Sequence, residues 1–143
     1  MLRQVLVGAA VSPGNIAIHA FLMAAVMWAA RTAVAMKTSR QSLRLIAVMI
    51  ATVSFLMAAH LAEVLVWALA YAIVGAAPDD TDLIYFAFVN YSTLGYGDVT
   101  PVERWHLLGP MTAMNGVLVK GVQLLALYVI IAAVLYLIPA AAP

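Results

Sequence analysis

GAAPDDTDLIYFAFVNYSTLGYGDVTPVER, running from Gly75 to Arg104, decides how the rest of this chain is read. It interrupts two long apolar runs, yet its middle, Leu83 to Tyr91, is itself apolar and aromatic. Asp79, Asp80, Thr81 and Asp82 follow Pro78 and supply helix-capping and acidic first-turn signals. The helix they introduce has about ten residues, too few to cross a hydrocarbon core about 30 Å thick. That combination predicts a re-entrant half-helix. Irregular backbone at membrane depth is tolerated only where it is buried in protein or lines a watery cavity, so function is sought just after this half-helix, in STLGYGD, Ser92 to Asp98.

Composition fixes the setting. Of 143 residues, 66% are hydrophobic and 9% charged, with a mean hydropathy of +1.06, which leaves too little polar surface for a soluble globule. Apolar runs from about Asn15 to Met36, Leu43 to Val74 and Trp105 to Ile138 are each long enough to span a bilayer. The expected fold is an all-α membrane protein of one domain, with three transmembrane helices and the half-helix between the second and third. The last two runs exceed the minimum length, which implies tilt or protrusion. The absence of cysteine excludes disulfides, thiolate metal sites and cysteine nucleophiles.

Basic residues give a sidedness. Arg31, Lys37, Arg40 and Arg44 flank the first short connection, whereas the connection from Asp79 carries five acids and only Arg104 as a base. The expected topology is multi-pass in the cell membrane, with the amino terminus outside and the carboxyl terminus cytoplasmic. The competing reading, a secretory signal cleaved after the Ala33–Ala35 sequence AVA, sits poorly with a single Arg3 ahead of an apolar run of full spanning length.

Thr93, Leu94, Gly95, Tyr96, Gly97 and Asp98 resemble the selectivity-filter signature of potassium channels, with Leu94 in place of the usual Val. The resemblance extends from about Leu43 to Ile138, about two thirds of the chain, as outer helix, pore helix, filter and inner helix. It is to the bacterial pore-only channels, with an extra amino-terminal helix added. It implies a pore domain over residues 43–143, preceded by residues 1–42 as an added transmembrane helix and a basic cytoplasmic connection. It further implies K+ ions bound at Thr93, Leu94, Gly95 and Tyr96, with Gly97 completing the filter. One chain supplies one quarter of an axial ring, so a homotetramer among membrane lipids is implied.

Elementary chemistry supports this use of the residues. A dehydrated potassium ion needs a nearly continuous shell of oxygens, which backbone carbonyls supply without a full counter-charge in the membrane. Consecutive carbonyls face one axis only if the backbone alternates between unusual dihedrals, which Gly95 and Gly97 permit. Thr93 adds a hydroxyl at the inner end, Tyr96 is expected to brace from behind, and Asp98 adds negative potential at the outer mouth. In many relatives a Glu behind the filter pairs with the Asp after it; here Val89 holds that place. A Tyr85–Asp98 hydrogen bond is the expected remaining strut, with Asn90 where Thr is common and Ser92 keeping a hydroxyl before the filter.

Ionisable residues inside membrane helices are costly and usually functional. Glu63 and Lys120 lie at similar depths, about 20 Å from the outer helix ends at 1.5 Å per residue, and an intramembrane ion pair between them is expected. The resemblance puts the cavity-facing stripe of the inner helix near Leu118, Gly121, Leu125 and Tyr128, turning Lys120 away from the axis; a cavity-facing Lys120 would instead repel cations. Gly116 and Gly121 are candidates for either a gating hinge or close packing. His60 and Glu63 share a face at the i, i+3 spacing of a metal-ligand pair, but two ligands are too few, so a satisfied interior histidine is expected. His19 and His106 are single residues near helix ends with no ligand role expected, and Trp28, Trp67 and Trp105 read as interface anchors.

The functional expectation is passive, potassium-selective permeation. Alternatives are a weakly selective cation pore, suggested by Val89, Asn90 and Leu94, and a nonconducting membrane assembly or regulatory subunit, suggested by Lys120. No enzyme, cofactor or nucleic-acid partner is expected: the chain shows no nucleophile-base constellation and no phosphate-cradling loop. Potassium is the permeant ligand.

Overall fold

A computed structural model describes residues 1–35 and 41–137. Lys37 and Arg40, part of the basic cluster, and the last residue of the third run, Ile138, lie outside the described residues. Four α-helices follow in order: α1, Leu2–Ala35; α2, Gln41–Val74; α3, Leu83–Tyr91; and α4, Leu108–Leu137, the last preceded by a 3-10 turn at Glu103–Trp105. Three of them are long and apolar enough to cross a membrane. At 1.5 Å per residue the 34 residues of α2 reach about 50 Å, well past a hydrocarbon core.

Helix α1 starts at Leu2, ahead of the expected boundary at Asn15, and runs through Pro13. Pro13 removes one backbone donor, which a helix otherwise anchored on both sides of it can bear. Those anchors are tertiary. Gln4 is buried, and its Oε1 accepts the Leu107 N–H at 2.8 Å, satisfying a donor that the start of α4 leaves free. Gly8 lies against Met111, where a Cβ would come within 2.3 Å of the methionine Cε.

Further along, Asn15 faces Asn115 at 2.8 Å and His19 faces Glu63 at 2.9 Å. These contacts run α1 parallel to α4 and antiparallel to α2, so the start of α1 lies at the same end as the segment after α3. The core sits at that end, where Val64, Trp67 and Tyr71 of α2 meet Phe86 and Tyr91 of α3 and Leu108 of α4. The tryptophans therefore divide. Trp28 is exposed, but Trp67 and Trp105 are core residues, contrary to the expected lipid interface; the Trp67 indole N–H lies 3.4 Å from Asn115 Oδ1, so burying it leaves no donor stranded.

Candidate functional site

Both borders of the Gly75–Arg104 connection are closed by local chemistry. Helix α2 ends in a Schellman arrangement, with the Ala76 N–H on the Tyr71 carbonyl at 3.0 Å and Gly75 at φ +61°. Helix α3 begins at Asp82, whose Oδ1 accepts the N–H groups of Ile84 and Tyr85 at 3.0 and 3.1 Å. The Val102 N–H bonds the Ala76 carbonyl at 2.9 Å, so the connection returns to the helix it left.

Helix α3 ends in a second Schellman pattern, with the Leu94 N–H on the Val89 carbonyl at 3.1 Å and the Thr93 N–H on the Asn90 carbonyl at 3.0 Å. The left-handed position of that motif usually holds glycine; here Thr93 occupies it at φ +64°. A β-branched residue in this region is strained, and strain of this kind concentrates at functional sites. Left-handed values recur at Gly95, φ +60°, and Gly97, φ +78°, while Leu94, Tyr96 and Asp98 keep negative φ. The sign of φ thus alternates from Thr93 to Asp98. Such alternation lets consecutive carbonyls face one side, and a Cβ on either glycine would meet nothing within 4 Å, so the demand for glycine there is conformational.

All residues from Thr93 to Asp98 are exposed in the single chain. Tyr96, expected to brace the segment from behind, is 67% exposed, so the described residues leave most of it uncovered. The Tyr85 hydroxyl donates to Asp98 Oδ2 at 2.6 Å, and this bond holds the tyrosine's pKa above its ordinary value because the neutral phenol is the donor to a carboxylate. Val89 is buried, and its carbonyl also accepts the Ser92 hydroxyl at 3.3 Å. Asn90 turns back on its own helix, donating to the Phe86 carbonyl at 3.0 Å. Beneath it Tyr71 and Thr112 hydroxyls meet at 2.6 Å; Thr112 spends its proton on the Leu108 carbonyl at 2.8 Å, so Tyr71 is the donor.

Two inner-helix glycines behave differently. At Gly116 a Cβ would fall 2.1 Å from the Tyr91 carbonyl oxygen, so this glycine lets α4 press on the end of α3. Gly121 has nothing within 4 Å of such a Cβ. Leu118, Leu125 and Tyr128 are exposed on α4.

The expected Glu63–Lys120 pair does not form. The Glu63 carboxylate, fully buried, is taken by His19 Nδ1 at 2.9 Å on Oε1, by His60 Nδ1 at 3.0 Å on Oε2, and by the Tyr91 hydroxyl on Oε2. Lys120 reaches instead to the carboxyl end of α3, with Nζ 3.5 Å from the Ser92 carbonyl and 6.0 Å from the Tyr91 ring centre. The negative end of the helix dipole favours a cation there. His19, for which no ligand role is expected from its place near a helix end, is thus a buried partner of Glu63. The signal for it was the i, i+4 pair Asn15 and His19, which puts two polar groups on one face in the mostly apolar middle of the helix.

The fold and site together define a membrane-spanning, all-helical protein whose short third helix delivers an exposed segment of alternating backbone between two long helices. A family model described as "Ion channel" matches residues 59–133, just over half of the 143-residue chain. The chain belongs to this ion channel family. No match is found among curated proteins or among solved structures.

Proposed function

We propose that the chain is one subunit of a homotetrameric, potassium-selective channel, with α3 as a re-entrant pore helix and Thr93 to Gly97 as a carbonyl-lined filter. The observation that carries this reading is the alternation of φ sign along Thr93–Asp98 directly after a helix too short to span. Four such segments around an axis present stacked oxygen rings that replace the hydration shell of K+. Exposure of Tyr96 and of the Leu118–Leu125 face of α4 in the isolated chain supports neighbours on both sides of the filter. Asp98, held by Tyr85, adds negative charge at the outer mouth. On this reading residues 43–143 are the pore domain, the filter faces outward with the amino terminus, and the carboxyl terminus is cytoplasmic.

Purified protein in lipid vesicles tests this directly. Potassium efflux that barium blocks, with sodium flux much smaller, is the expected result; equal potassium and sodium fluxes would mean a weakly selective pore and refute the selectivity. One observation favours a nonconducting subunit, the Lys120 ammonium 3.5 Å from the Ser92 carbonyl, just below Thr93. A cation fixed there opposes the entry of another by Coulomb repulsion. A tetramer that is silent as wild type and conducts as Lys120→Met would establish that second reading.

A further inference from the structure

His19, His60 and Glu63 stand apart from the filter and come from two different long helices, α1 and α2. Their candidate donor atoms all lie within 4.8 Å of one another. His19 is 3% exposed and Glu63 0% exposed, so neither is a solvated surface group. The two imidazoles stack with centres 5.9 Å apart, which brings both rings to the same carboxylate.

The cluster's contacts suit a proton or a metal ion. His60 Nε2 lies 2.7 Å from the Gln123 side-chain amide, which holds the ring from its far side. His60 Nδ1 lies 3.0 Å from Glu63 Oε2, an oxygen that also accepts the Tyr91 hydroxyl. Either a proton on Nδ1 or a metal ion shared by the nitrogen and the carboxylate satisfies this contact. His19 adds a second nitrogen on the other carboxylate oxygen, while its Nε2 is buried with no hydrogen-bond partner. The carboxylate is that ring's one hydrogen-bond partner among the described residues.

We propose that His19, His60 and Glu63 bind one divalent transition-metal ion of the zinc class. Two imidazoles and a carboxylate make a three-ligand set that leaves one position for water, and the Tyr91 hydroxyl stands beside it. Donor atoms around tetrahedral zinc sit about 3.3 Å apart at bond lengths of about 2.0–2.1 Å. The contacts of 2.9 and 3.0 Å would open by a few tenths of an ångström, and the widest separation in the set, up to 4.8 Å, would close by about 1.5 Å. Gln123 takes the part of the outer partner that fixes the tautomer of a ligating imidazole. A largely apolar cavity of about 350 Å³ between α1 and α4, lined by Ile16, His19, Met23, Leu118 and Val122, borders the site on its His19 side. The ion joins α1 and α2 beside Tyr91, whose chain leads straight into Ser92 and Thr93.

The test reads metal and not conduction. Full-length protein in detergent is stripped with a chelator and equilibrated with Zn2+, and metal per chain is measured after gel filtration. One Zn2+ per chain is expected, with affinity lowered at least about 100-fold in His19→Gln and in His60→Gln and unchanged in His106→Gln. X-ray absorption of the zinc-loaded wild type should show two imidazoles in its coordination shell, and this holds even if the variants do not fold. Folded wild type that retains no zinc, folded His19→Gln and His60→Gln variants that bind as tightly as wild type, or a zinc shell without imidazole would each overturn the proposal.

Discussion

Replacing Gly116 by alanine tests the seam between α3 and α4. The added Cβ would lie 2.1 Å from the Tyr91 carbonyl oxygen, where ordinary contact begins at 3.4 Å. Helix α4 or the end of α3 must therefore retreat by about 1.3 Å. Overpacking costs about 1–3 kcal/mol when side chains can adjust. Here the obstacle is backbone, of a residue whose own side chain is tied to Glu63, so the cost belongs at about 3 kcal/mol or above. At 1.4 kcal/mol per factor of ten, that lowers the folded-to-unfolded ratio by at least about 100-fold. Gly121→Ala is the matched control: it meets no atom within 4 Å, and the helix propensity of alanine favours it by up to about 1 kcal/mol. Thermal unfolding in detergent, with vesicle flux alongside, should show Gly116→Ala destabilised and its flux lost, and Gly121→Ala unchanged or more stable. The packing argument fails if Gly116→Ala melts with wild type while Gly121→Ala is the damaging change, which would put a hinge at Gly121.

Other outcomes follow from the same geometry. Gly97→Ala forces a side chain to φ +78° at about 1–2 kcal/mol, so flux should disappear while the chain still folds; retained selective flux would count against a conformational role. Thr93→Gly should relieve strain, raising the melting temperature slightly, yet weaken potassium over sodium selectivity by removing the hydroxyl at the inner end. Thr112→Val leaves the buried Tyr71 hydroxyl without its acceptor and should cost about 1–3 kcal/mol in thermal unfolding. The Tyr85 pKa is raised above the ordinary value of 10, so its bond to Asp98 is complete below pH 10 and lost as pH rises through the higher folded value. Flux should therefore decline in that alkaline window in wild type and lose this dependence in Tyr85→Phe; parallel decline in both would remove Asp98 support from the explanation.

Local chemistry made some of this legible in the sequence. The nine residues of α3 match the span read from the Asp82 cap and the end of the aromatic run, because capping and length act within one segment. The three long helices followed from apolar length alone. Contacts between helices were less accessible, since depth can be counted along a helix but rotation about its axis depends on what it packs against. Glu63 and Lys120 sit at similar depths, yet the carboxylate turns to His19, His60 and the Tyr91 hydroxyl, and the ammonium to the Ser92 carbonyl. Trp67 was hidden for the same reason: its indole needs Asn115, 48 residues away, to be buried without loss.

Helix α1 shows how those rotations are set. Its buried positions Gln4, Gly8, Asn15, His19, Met23 and Val26 recur at spacings of three, four and seven, one stripe along the helix. Three of them are polar, and each reaches a different point: the start of α4, Asn115 within α4, and Glu63 within α2. Hydrogen bonds between membrane helices average only about 0.6 kcal/mol, so three rungs add little to stability. They do fix register, because sliding or turning α1 by one residue, about 100°, would strand buried polar groups in an apolar surround. With the register fixed, His19 is delivered to Glu63, and together with His60 and Tyr91 it fills the carboxylate's oxygens. Lys120 is then left to the carbonyl end of α3, directly below Thr93. Helix α1 thus takes part in setting where the Lys120 ammonium rests, through His19 and Glu63.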